Sequence, residues 1–190
     1  MSNTSILSTA AALMLASAPM AWAQSDDMGD NPTVGGAPMM ADMNIIENAV
    51  NSPIHTTLVA AVQAADLVET LQGPGPFTVF APTDAAFDMI TDESLNALLQ
   101  PEAKDQLTQI LTCHVVGAEA FSDAIGGMIA DDGGAHPVET LGGCTLTAEM
   151  SGGDITLTDE NGREATVTIA DVDQSNGVIH VIDRVMLPQQ

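Results

Sequence analysis

Between Phe77 and Phe87 a run of β-branched and aromatic residues meets a proline, and that junction constrains the fold more than any other feature of the chain. Phe77, Thr78, Val79, Phe80 and Ala81 suit a pleated, mostly buried strand. Pro82 has no N–H to donate, so the ladder ends there. Thr83 or Asp84 then offers a side-chain oxygen to cap a helix opening at Ala85, and Phe87 folds back on the strand just left. Strand, corner and helix start are specified within one short segment.

Such a strand needs a core, and composition supplies it. The chain has 190 residues, 45% of them hydrophobic, which suits one domain with extra segments and not two full domains. Its charge is lopsided: 26 acids face three bases, Lys104, Arg163 and Arg184, for a net charge of -23. No basic patch exists to displace counterions, which excludes nucleic acid as a partner. The same charge opposes binding to bare anionic lipid headgroups. So acidic a surface keeps a protein soluble and attracts cations or a basic partner.

Residues 1–23 read as an export signal. An apolar run from Leu7 to Met20 precedes Ala21-Trp22-Ala23, with small residues where a signal peptidase reads. The run is too short for a comfortable membrane span, and the preceding Met1 to Ser5 carries no Lys or Arg. No transmembrane segment is expected in the mature chain, whose location is then secreted or periplasmic. Cleavage after Ala23 removes the only Trp from a chain without Tyr, so the mature protein absorbs almost nothing at 280 nm. Residues 24–41, rich in Asp, Gly, Pro and Met, read as a flexible linker, and the ordered domain is expected over 42–190. Met28, Met39, Met40 and Met43 are irregularly spaced and without His, which favours a linker over a Cu(I) site. No metal site and no cofactor are expected.

Asn44 to Val50 reads as a short helix, and Ser52-Pro53 as the N-cap and first position of a longer one closed by Leu71. His55, in its first turn, is expected to face solvent. Short helices follow around Leu95 to Leu99, from Pro101 onward and within Phe121 to Ala130. Four strands with turns at Ser151 to Asp154, Asn161-Gly162 and Asn176-Gly177 complete the chain. Asp171 to Gly177 superficially resembles a calcium loop, but its Gly comes one place late and Ile182 stands where the bidentate acid belongs, so it reads as a turn. His180, inside an apolar strand, reads as a core histidine bonded to a backbone group. Cys113 and Cys144 form a disulfide in an oxidising compartment, two buried thiols or a reactive thiol. A bridge closing about 30 residues would contribute roughly 3.5–4 kcal/mol. Cys113 and His114 are neighbours and on a strand would point to opposite faces, which argues against a catalytic Cys-His pair.

Taken together, Thr78 to Phe87 and Asn176 to Pro188 resemble the two signature boxes of the fasciclin domain. Their motif residues here are Thr78, Phe80, Pro82, Thr83, Asp84 and Phe87, then Gly177, His180 and Asp183. Ile110 to Val116 resembles that family's central tyrosine–histidine segment, and Val138 to Gly143 its next strand, so the likeness spans Asn44 to Pro188. The resemblance implies an α+β fold, a compact β-sandwich or wedge flanked by several short helices, and no catalytic chemistry. Family members are adhesion and matrix-type modules, so the implied partner is protein or polysaccharide at the cell surface. His114, with Val115 and Val116, matches the segment linked to adhesion. Cys113 stands where the family commonly has Tyr, which takes the aromatic group off that surface; integrin-type binding is not carried over, and the cysteine is expected to staple this strand to the one carrying Cys144. The alternative is a carrier of a small apolar ligand such as a pigment or lipid, as in some fasciclin-like proteins. The four histidines, His55, His114, His136 and His180, are scattered, and no hydrolase or metalloprotease motif is present.

Overall fold

The structure, a computed structural model, describes residues 31–189. The expected signal peptide and the first residues of the expected linker lie outside that range. In chain order, a small hairpin of β1 (Thr33–Val34) and β2 (Ala37–Pro38) leads into α1 (Ile45–Asn51), α2 (Thr56–Ala64) and α3 (Val68–Leu71). The opening strand of the signature segment is β3 (Phe77–Pro82), followed by α4 (Asp84–Phe87), α5 (Asp92–Leu98), a 3-10 turn at Pro101–Ala103, α6 (Lys104–Thr112) and β4 (Val115–Val116). After α7 (Ser122–Asp131) come β5 (Ala135–Glu139), β6 (Thr145–Ser151), β7 (Asp154–Thr158), β8 (Glu164–Gln174) and β9 (Gly177–Ile182).

Seven strands form a nearly closed sheet in the order β4-β3-β9-β8-β7-β6-β5, with short helices packed on it. Its centre joins the two signature segments: β3 and β9 pair in parallel, from Phe77 opposite Gly177 to Pro82 opposite Ile182. Side chains on these two strands alternate between two cores. Val79, Ala81, Ile179 and Val181 face the cluster under α1, α2 and α6, whereas Phe80 and Ile182 face the cluster under α7. Burial on both faces is what the apolar run of β9, broken only by His180, requires. The long β8 serves both halves of the sheet. Its start pairs with β7, and Val167 onward pairs with β9 across two register irregularities, where it bends.

Gly177 shows how closely the central pair meets. Its φ is 151°, and a Cβ there would lie 2.8 Å from the backbone nitrogen of Phe77. Only glycine allows the β8–β9 turn to come down on β3 at that point.

Several sequence expectations are corrected. The domain starts before residue 42: Val34 and Met39 are 1% and 2% exposed and belong to the first core, so part of the expected linker is packed. Buried Asn48 explains it, because its side chain accepts from Met40 N at 2.9 Å and donates to Met40 O at 2.7 Å. Ser52 ends α1 instead of starting α2, whose N-cap position is His55. The single long helix to Leu71 is two, separated at Asp66, which adopts a φ of 56°. Residues 171–174 are part of β8, not a turn. Cys113 and His114 lie in the turn that ends α6, with strand geometry beginning only at Val115.

Candidate functional site

The segment after β9 is held against α6 by a buried histidine. His114 is 2% exposed, and its Nε2 accepts the N–H of Met186 at 2.9 Å. Because Nε2 accepts, the proton sits on Nδ1, which donates to Ile110 O at 2.8 Å. Burial lowers its pKa to about 4, against smaller opposing effects of the Ile110 carbonyl and Asp159. Asp159, itself buried, takes the next N–H, that of Leu187, at 3.0 Å on Oδ2. Its Oδ1 accepts the N–H groups of Asn161 and Arg163, both at 2.9 Å, and so shapes the β7–β8 turn. Asn161 Nδ2 closes the clasp by donating to Leu187 O at 2.9 Å. One carboxylate thus ties the hairpin turn to the C-terminal strap.

His180 is the mirror case. Its Nδ1 accepts from Asp171 N at 3.3 Å and its Nε2 donates to Ala120 O at 2.8 Å, so it too is neutral. Its ring stacks on Phe80 with centroids 5.7 Å apart. Thr78 holds the same loop, donating to Ala118 O at 2.6 Å and accepting from Ala120 N at 2.9 Å. His55 is 3% exposed, contrary to expectation; Ser52 Oγ lies 2.7 Å from its Nδ1, and its Nε2 has no hydrogen-bond partner. Burial also lowers the pKa values of His180 and His55.

Two acids cap helices that do not cap themselves. The α2 helix lacks a side-chain cap of its own, and Asp84 supplies it from the signature corner, accepting from Thr57 N at 2.8 Å and Thr56 Oγ1 at 2.8 Å. Partial desolvation raises the Asp84 pKa, but these hydrogen bonds outweigh it and leave the carboxyl below its ordinary value. Asp171, with a φ of 58°, does the same for α7 by accepting from Ser122 N at 2.6 Å and from its hydroxyl. Of the two caps the sequence offered, Thr83 is the one α4 uses, through Ala86 N; the helix opens at Asp84 and not at Ala85, and Phe87 is buried under that corner. Asp183 accepts from Thr166 N at 2.7 Å. Asn176, read only as a turn residue, donates to Leu71 O and Gly73 O at 2.8 and 2.9 Å and accepts from Ile45 N at 3.0 Å.

The strap and α4 to α6 enclose a groove of about 640 Å³. Buried Ile110 and Val185 form its floor, half-buried Ile90 and Leu98 its side, and exposed Arg163 and Arg184 its charged rim. Nothing in the sequence placed these residues together; the Asp159 clasp does so. Cavities in the core are much smaller, at about 30 and 10 Å³.

Of the residues expected to make contact, His114 and Val115 are buried and Val116 is half-buried. The reason is that the α6 stripe of Leu107, Ile110 and Leu111 leads directly into them, so the expected His114 contact surface is an interior turn. Cys113 and Cys144 are disulfide-bonded, with Cα atoms 5.4 Å apart. No group of three metal-ligating side chains occurs among the described residues, and no helix there is long and apolar enough to cross a membrane.

Comparison with known proteins agrees with this architecture. The family model for the Fasciclin domain matches residues 53–188. The chain is 42% identical over 169 residues to Protein sll1483 of Synechocystis sp., covering 89% of this chain and 87% of that one. It is 33% identical over 164 residues to the cell surface glycolipoprotein MPB83 of Mycobacterium bovis, covering 83% and 67%. The FAS1 domain pair of the insect cell adhesion molecule fasciclin I superposes with a TM-score of 0.67 at 18% identity, over 76% of this chain and 51% of that one, a likeness of fold alone. None of these matches indicates a catalytic family. With both signature segments paired at the centre of the sheet, the chain belongs to the fasciclin domain family.

Proposed function

We propose that this protein is an exported, non-catalytic binding module that holds a protein or polysaccharide partner at the cell surface or in the envelope. Family membership together with similarity to a cell surface glycolipoprotein carries the reading. The side-chain chemistry of the signature and central segments supports it: His114, His180, Asp84 and Asp183 are engaged with backbone groups of the fold, not with one another. Since His114 is interior, the contact surface is what lies over it. Leu141 N bonds Val115 O at 2.7 Å, and Leu141 is 52% exposed, its Cδ2 close to Gly117.

The test is attachment of cells lacking the gene, complemented with wild type or with Leu141→Asp. Reduced attachment restored by wild type and not by L141D is expected. A deletion strain that attaches as its parent does would remove the adhesion reading.

A further inference from the structure

We propose that the groove between α4–α6 and the C-terminal strap binds an anionic amphiphile, a molecule with one carboxylate-type head and an apolar tail. The reading is independent of adhesion. It begins with an oddity of charge: two of the three basic residues in a chain with 26 acids line one groove. Among the described residues neither guanidinium forms a salt bridge or a side-chain hydrogen bond, whereas Lys104 pairs with Asp66. With acids so abundant, and with Glu164 and Asp183 next to them in the chain, two arginines that line one groove without an ion-pair partner make it an anion-seeking site in an otherwise repelling field.

The rest of the groove selects the tail. Ile90, Leu98, Ile110 and Val185 give it an apolar wall beside polar Thr91, Ser94 and Gln106, and its volume of about 640 Å³ lies within the range of small-molecule sites. The head is limited to one charge group by the molecule as a whole. An acidic peptide or an anionic bilayer would bring many negative charges against a net charge of -23, whereas a single-headed amphiphile brings one. Positioning is built in, because Asp159 and Asn161 fix the turn carrying Arg163 to the strap carrying Arg184.

The experiment is calorimetric titration of the exported full chain with laurate below its micelle concentration. Dodecanol and dodecyltrimethylammonium serve as neutral and cationic probes of the same tail. One laurate per chain is expected, bound more tightly than either control even though net charge favours the cation. Arg163→Gln with Arg184→Gln should weaken laurate at least about tenfold, as expected for losing charge-assisted hydrogen bonds. Both arginines are exposed, so the unfolding midpoint should hold. Ala97→Trp, which puts an indole into the groove from α5 and keeps both arginines, should weaken binding. Absence of saturable laurate binding, equal affinity in the arginine variant, a preference for the cation, or capture of a polyglutamate peptide in its place would each overturn the proposal.

Discussion

Protonating His114 would turn the atom that accepts the Met186 N–H into a donor aimed at it, and that single exchange makes the fold sensitive to acid. Its folded pKa is about 4 against an ordinary 6.5, so the unfolded chain takes up the proton first as pH falls. Its contribution to stability is full above 6.5, declines between 6.5 and 4, and is then spent, for a loss of roughly 3 kcal/mol. His55 and His180, also lowered, act in the same direction. Urea unfolding from about pH 7.5 to about pH 4.5 should show the decline. His114→Leu leaves the Met186 N–H and the Ile110 carbonyl without this partner, and should destabilise by about 2–4 kcal/mol at neutral pH. The variant should also lose stability less steeply on acidification; equal slopes for the two proteins would refute the role given to this imidazole.

At the scale of elements, the chain is organised by contacts that reach across it. The cap of α2 comes from Asp84, 27 residues beyond Thr57 in sequence. Asp84→Ala should therefore destabilise by about 1–2 kcal/mol, as loss of an ordinary N-cap does. Amide exchange should rise first in α2 and not in α4, which keeps Thr83 as its cap; protection lost from α4 instead would contradict this pairing. The disulfide joins the end of α6 to the start of β6 over a separation of 31 residues. Cys113→Ser with Cys144→Ser should lower stability by up to about 3.5–4 kcal/mol, since the open chain regains loop entropy. A denaturation midpoint that stays put in the double variant would show that packing of buried positions 113 and 144 already holds the junction.

The whole molecule carries its charge almost unopposed. Among the described residues the Lys–carboxylate pair is Lys104 with Asp66, and His136 Nδ1 lies 2.6 Å from Asp132; both contacts are at the surface, where such pairs contribute little. Self-repulsion at a net charge of -23 is the larger effect. Raising NaCl from about 0.05 to about 0.5 M at neutral pH should screen it and raise the unfolding temperature by several degrees, on the order of 1 kcal/mol. A fall in that temperature would mean that attractive pairs dominate. What the sequence by itself determined is local: a strand from Phe77 to Ala81, a cap at Thr83 or Asp84, the hairpin at Asn161-Gly162 and the family likeness follow from side-chain shape, missing donors and turn chemistry acting within a few residues. Only the tertiary structure decided that His55 and His114 are interior, that residues 33–39 pack, that Asp84 and Asp171 cap distant helices, and that Arg163 and Arg184 share a groove. Those outcomes depend on which segments meet across the parallel β3–β9 pair and the Asp159 clasp, and neither neighbour pattern nor composition encodes a meeting between residues so far apart in the chain.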